Sequence, residues 1–155
     1  MANLKKYFSV EEANHALPLV RSIVGDIVSF HTDLHARSDR LQAVKRRNSA
    51  LRGSMPPEFN EELAQMEIDL DRDAEKLQGF IAELEALGVE LKDLSKGLVD
   101  FPGLIDGREV CLCWMQGESE VAFWHEVNAG FMGRQSLMAG TSPAGADDSI
   151  DPTAI

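Results

Sequence analysis

Two stretches of the chain carry apolar residues at helical spacing. In the first, Leu19, Ile23, Ile27, Phe30, Leu34, Leu41, Val44 and Leu51 recur at steps of three, four or seven, the mark of an amphipathic helix with a narrow seam. It opens on Ser9-Val10-Glu11-Glu12, a capping box in which the serine hydroxyl takes the N3 amide and Glu12 reaches back to the cap. Pro18 falls inside the pattern, so a kink or break is expected near residues 14–16. In the second stretch Phe59, Leu63, Met66, Leu70, Asp73, Leu77, Phe80, Leu84 and Leu87 alternate steps of four and three, a heptad seam with one polar member. Asp73 reads as a register device or a polar gap. Arg52-Gly53-Ser54-Met55-Pro56-Pro57 separates the two, and Gly88 is the expected stop. Helix one is therefore drawn over 9–52 and helix two over 57–87, paired as a long antiparallel, coiled-coil-like hairpin.

Beyond residue 88 the period changes to alternation. Val89-Glu90-Leu91-Lys92-Asp93 reads as a short edge strand, and 89–127 as a small antiparallel three-stranded β-meander. Asp106-Gly107 is a type I′ hairpin signal that sets Ile105 opposite Arg108, Phe101 opposite Leu112 and Val99 opposite Trp114. Gly117-Glu118 fits a type II′ turn that sets Trp114 opposite Val121, Leu112 opposite Phe123 and Val110 opposite His125. Both turns choose one apolar face: Val99, Phe101, Val110, Leu112, Trp114, Val121 and Phe123. The other face holds Leu98, Asp100, Pro102, Cys111, Cys113, Met115, Trp124 and Glu126, too apolar to be left to water. The loop around Phe131, the N-terminal segment or a second subunit should cover it. The fold class is α+β, with 1–137 one domain, 128–137 a Gly/Arg loop and 138–155 a disordered tail of small polar residues.

Charge refines this picture. The net charge is −11 at pH 7, yet residues 1–52 carry nine basic and five acidic side chains. Residues 53–96 carry four basic and twelve acidic ones. An antiparallel hairpin lays these two sets side by side, so the Lys45-Arg46-Arg47 cluster needs no nucleic acid to explain it, and overall acidity argues against one. No apolar run reaches the ~18 residues of a membrane span. The N-terminus has no apolar core of a signal sequence. Cys111 and Cys113 read as reduced thiols, so a cytoplasmic location without membrane contact is expected.

The entry motif YFSVEEAN (7–14) with LPLV (17–20), then GLVDFP (97–102), DGREV (106–110), LCW (112–114), WH (124–125) and GFMGRQ (130–135), resembles the uncharacterised prokaryotic domain-of-unknown-function family 2203 over roughly residues 7–137. The chain departs from that family's usual pattern at Ser136, where Pro is common, and near Met115, where Arg or Lys is. The resemblance implies no catalytic residue, cofactor or partner. It points to the meander and the GFMGRQ loop as the constrained part.

Three groups carry candidate chemistry. Asp100 lies opposite Cys113 with Cys111 on the same face, and carboxylate, thiolate and imidazole are zinc ligands. C-x-C alone is weak, His125 is expected on the opposite face, and small buried hydrophobes is the plainer reading of both cysteines. His125 with Asp100 or Glu126 as orienting carboxylate is the metal or general-base candidate. In the loop, Gly130 and Gly133 let backbone amides approach a ligand, Arg134 offers a fork for carboxylate or phosphate, and Gln135 and Trp124 flank it. The plainer alternative pairs Arg134 with Asp100 or Glu126. His31 and His35, four apart on helix one, lack the companion residues of a helical metal motif and read as a solvated face.

With no closed catalytic constellation, function reads first as a non-enzymatic interaction or adaptor protein. It would use the hairpin and the apolar outer face of the meander to bind a protein partner or a second copy as a homodimer. On that reading no cofactor is needed. The alternative is a small-molecule or metal site, zinc for example and open to enzymatic use, at the end of the meander around Asp100, His125 and Arg134.

Overall fold

Helix α1 (Val10–Ala50) begins where the capping box puts it: Glu12 N–H donates to the Ser9 hydroxyl at 3.0 Å and Ser9 N–H to the Glu12 carboxylate at 2.9 Å. The computed structural model of the chain describes residues 5–51 and 55–140. The expected breaker Gly53 and residues 141–155 of the expected tail lie outside the described residues. Helix α1 runs unbroken through Pro18 for 41 residues, so the expected break is absent. The described helices stop at Ala50 and Ala86, each slightly inside the predicted ends at 52 and 87. Helix α2 (Pro57–Ala86) has a proline at its first turn, where the missing N–H costs nothing. Gly88, at φ 90°, takes the left-handed position just past its end.

Of the α2 seam, Leu63, Leu77 and Leu84 are buried, while Phe59, Met66, Leu70, Phe80 and Leu87 are half-buried. On α1 the inner stripe is Ala13, Leu17, Val20, Val24 and Ile27, and Leu19 faces solvent. The stripe switches partner along the helix, packing with the sheet near its start and with α2 alone further out. Across the hairpin Phe30 meets Phe80 edge-on at 5.2 Å, and Arg37 donates to Asp73 at 2.8 Å. Asp73 is thus matched by a basic residue at the facing seam position. Lys45 of the basic cluster pairs with Glu67 of α2.

Five antiparallel strands follow in sequence order: β1 (Glu90–Asp93), β2 (Leu98–Ile105), β3 (Arg108–Met115), β4 (Phe123–Glu126) and β5 (Gln135–Ser136). The class is α+β; β1 is the short edge strand expected at 89–93, and β5 is a strand beyond the expected meander. β1 pairs Glu90 with Asp100 and Leu91 with Val99; β5 is only two residues long, too short to carry an alternation signal. A single 3₁₀ turn, Phe131–Gly133, precedes β5, and α3 (Leu137–Gly140) takes up the first part of the expected tail. The β2–β3 register is the one Asp106-Gly107 dictates, with φ of 54° and 78° at the two turn residues.

The β3–β4 register differs from expectation by one residue: Val110 pairs with Glu126, Cys111 with His125, Leu112 with Trp124 and Cys113 with Phe123. A one-residue slip turns every side chain of a strand to the other face. Trp124 therefore enters the core beside Leu112, while Phe123 and His125 join the outer face. The cause lies in the connection. Gly117-Glu118 does not close a two-residue loop; β4 begins only at Phe123. Between them, Val121 leaves the ladder for α1, its N–H donating to Asn14 Oδ1 at 2.7 Å and its C=O accepting from Asn14 Nδ2 at 3.2 Å.

The helices cover the inner sheet face. Leu17, Val20, Val24 and Ile27 of α1 and Leu77 and Leu84 of α2 form one core with Val99, Phe101, Val110, Leu112, Trp114 and Trp124. Burial of each large side chain there stabilises the fold by about 1.5–3 kcal/mol. Phe8 fills the edge of β2 beyond β1: its N–H donates to Pro102 O at 2.7 Å and its ring meets Phe101 at 5.2 Å. Gly103 is needed at that crossing, because a Cβ would stand 2.9 Å from Leu112 Cγ and 3.1 Å from Phe8 O. Among the described residues no helix is long and apolar enough to cross a membrane.

Candidate metal centre

The corrected register brings together residues that the sequence pattern separates. Asp100 on β2 stands directly across from Cys113 on β3, and His125 on β4 now shares their face. One ligand atom from each, carboxylate oxygen, thiol sulfur and ring nitrogen, lies within 4.8 Å of the other two. All three residues are buried, with relative exposures of 3%, 0% and 3% for Asp100, Cys113 and His125.

His125 is held at both ends. Nδ1 donates to its neighbour's carbonyl, Glu126 O, at 2.7 Å, and Nε2 lies 3.0 and 3.1 Å from the two Asp100 oxygens. Both ring nitrogens face acceptors, a geometry satisfied by the doubly protonated ring or by one proton shared with the carboxyl group. It is also the geometry of a metal-ready imidazole: one nitrogen fixed by a backbone carbonyl, the other aimed at the acidic ligand.

The segment after β4 closes over this face. The Arg134 guanidinium lies 4.2 Å above the Phe123 ring and 4.8 Å from Phe131. It grips Glu118 through two bonds of 2.6 Å each, and its Nε donates to Cys113 Sγ at 3.3 Å. Glu118 also accepts from Met115 N–H at 2.9 Å. Burial pushes the Glu118 carboxyl upward, but the bonds from Arg134 and the Met115 amide outweigh it and hold the group below its ordinary range. The outer face is thus partly covered by the chain's own loop, as the apolar pattern requires.

Burial drives both thiols up to about 11: at Cys113 the Arg134 bond opposes the shift and the Asp100 charge adds to it, and at Cys111 the Asp100 charge reinforces it. Burial disfavours the Cys113 thiolate, which works against its use as a nucleophile. Both nitrogens of His125 are also taken, so no base is free to activate it. Cysteine, histidine and aspartate meet here without forming a nucleophilic triad.

The remaining candidates fall elsewhere. The Glu126 side chain turns to Arg108 at the strand end, so its contribution to the centre is its carbonyl. Gly130, at φ 67°, starts the 3₁₀ turn in which Gly133 N–H donates to Gly130 O and Arg134 N–H to Phe131 O. Those amides are spent inside the turn, and Arg134's fork is filled by Glu118. Gln135 is exposed and pairs with Trp124 across β4–β5. His31 and His35 stack on each other at 6.2 Å, and His35 approaches Asp39 at 3.7 Å. The partner missed by sequence reasoning is Glu118, whose one signal was its place at the turn one residue past the glycine.

The family model of an uncharacterized conserved protein, DUF2203, matches residues 6–137, and the chain belongs to that family. No curated protein and no solved structure matches the chain.

Proposed function

We propose that this DUF2203 chain is a metal-binding protein whose buried centre at Asp100, Cys113 and His125 takes a divalent ion of the zinc class. The observation that carries the reading is the convergence of three unlike donors within 4.8 Å on adjacent strands. A thiolate, an imidazole and a carboxylate suit a borderline ion such as zinc and not calcium or magnesium, which prefer oxygen alone. The ion would displace the proton between His125 and Asp100 and the thiol proton of Cys113, so loading releases protons. The Nδ1 bond to Glu126 O would keep the ring in place, and Arg134 would donate to the coordinated sulfur. The test is native mass spectrometry of protein reconstituted with zinc, together with Cys113→Ala. One ion per chain, lost in the variant, is expected. Wild-type protein that stays metal-free in excess zinc ends the reading.

A second reading keeps the hairpin as a contact arm for a protein partner or a second copy. It is supported by the seam of the arm, where Phe30, Leu34, Val44, Phe59, Met66 and Leu70 are only half-buried, and by Ile68, 57% exposed beside it. The sheet-face half of the adaptor idea loses ground, since Arg134 lies over Phe123 and against Cys113. Light scattering after size exclusion tests self-association; a monomer at all accessible concentrations removes the homodimer.

A further inference from the structure

We infer that Cys111 completes the centre, closing it as a four-coordinate Asp–Cys–Cys–His site around the zinc-class ion and making the ion a structural staple across β2, β3 and β4. This rests on the metal-binding reading above and extends it to the ligand number and hence to the role.

The argument is one of register. Cys111 and Cys113 are alternate residues of one strand, so their side chains leave the same face, about 6.7 Å apart at the backbone. Cys113 stands across from Asp100 on one side, and Cys111 stands across from His125 on the other. The four residues therefore mark the corners of a patch spanning three adjacent strands. Two sulfurs on one tetrahedral zinc, at ~2.3 Å each, are about 3.8 Å apart. The Cys111 sulfur is not among the ligand atoms that already lie within 4.8 Å of one another; side chains starting about 6.7 Å apart reach the tetrahedral separation when each leans about 1.5 Å inward, so Cys111 joins by a rotamer change on loading.

The state of Cys111 fits the assignment. It is half-buried, and among the described residues its thiol has no hydrogen bond to give up. Two thiolates and a carboxylate leave one negative charge on a divalent centre. The Arg134 guanidinium at 3.3 Å from Cys113 Sγ is positioned to offset it.

The ligand number decides the role. Catalytic zinc keeps three protein ligands and an open position for water or substrate, whereas a site with four protein ligands is closed and contributes folding energy. Asp100, Cys113 and His125 are buried, in keeping with the closed form.

Cobalt(II) is the probe, because it reports geometry and thiolate count in its absorption. Wild-type protein loaded with cobalt is expected to show a tetrahedral visible band and a thiolate charge-transfer band. In Cys111→Ser the charge-transfer intensity should fall by about half, since it scales with the number of thiolates. Zinc affinity, read by competition with a chromophoric chelator, should fall by more than the about 10–100-fold that loss of an outer partner costs. A second measurement needs no variant. Alkylation of Cys111 in the full chain, followed by peptide mass spectrometry, should be slowed by zinc and restored by chelator. A Cys111→Ser variant with wild-type spectrum and affinity, or a Cys111 that alkylates equally with and without zinc, overturns the four-ligand site while the three-ligand centre stands. Absence of any cobalt or zinc binding by wild-type protein overturns both.

Discussion

The Arg37–Asp73 ion pair of the hairpin and the His125–Asp100 pair of the sheet are built to opposite rules. Arg37–Asp73 sits in the hairpin seam with side-chain exposures of 26% and 18%. His125–Asp100 sits on the outer sheet face at 3% and 4%. The seam pair is half-wet, and neighbouring surface charges share it: Asp33 bonds Arg37 at 3.0 Å and Arg72 approaches Asp73 at 3.6 Å. Its partial exposure lets it mark the register of the helices without a full set of protein partners. The sheet pair has no such help. Its ring nitrogens must be met from the protein, and Glu126 O and Asp100 meet them. A complete inventory of donors and acceptors in a dry site is what a metal can exchange into, and a half-wet pair offers no equivalent.

The largest effect that would break the contrast is expected from Asp100→Ala in metal-free protein. It leaves the His125 ring buried without its acidic partner, a change that costs about 3–5 kcal/mol when one member of a buried pair is removed. That is a large part of a total stability of about 5–15 kcal/mol. Urea unfolding should show a lowered midpoint at unchanged slope. A loss under about 1 kcal/mol would mean that water reaches the pair, and the distinction between the two sites would collapse.

Next in size is Asn14→Ala, which tests what sets the dry site's register. Removing the amide strips partners from both the N–H and the C=O of Val121, itself 1% exposed. Leaving buried backbone groups unpaired costs about 1–3 kcal/mol. The variant should also loosen the β3–β4 pairing, so backbone amide exchange at residues 123–126 should quicken more than at residues 108–115. Uniform protection across the sheet would show that the register is set by β5 and Arg134 instead.

The same clamp explains what was legible in the sequence. Helix α2 was readable because one strict heptad fixes its seam from Phe59 to Leu87. The β2–β3 hairpin was readable because Asp106-Gly107 imposes its turn through local backbone preference alone. The parity of β4 was not. It depends on a bond between Val121 and Asn14, 107 residues apart, and no local pattern records it. That single unit of register hid the centre, because it put His125 on the core face, away from Asp100 and Cys113. Leu19 misled for a related reason: α1 changes partner along its length, so one apolar stripe does not describe it. Arg134's true partner, Glu118, was likewise concealed in the same loop.

The smallest expected effect belongs to the half-wet pair. The hydrogen bond from Arg37 holds the Asp73 carboxyl below its ordinary range. A folded carboxyl with a depressed pKa contributes stability above its unfolded value, and that contribution is lost as pH falls through the folded one. Asp73→Asn should therefore flatten the acid limb of the stability curve slightly and leave the neutral and alkaline limbs alone. Replacing both Arg37 and Asp73 by leucine should cost little or even stabilise, because two apolar residues pack in a heptad seam at least as well as a partly hydrated ion pair. The gain would come with a loss of specificity: with the polar key gone, the seam tolerates a slipped register or a second copy, and light scattering on the double variant would see the latter. If Asp73→Ala alone is instead as damaging as Asp100→Ala, the hairpin pair is as dry and as demanding as the sheet pair, and the two sites obey one rule.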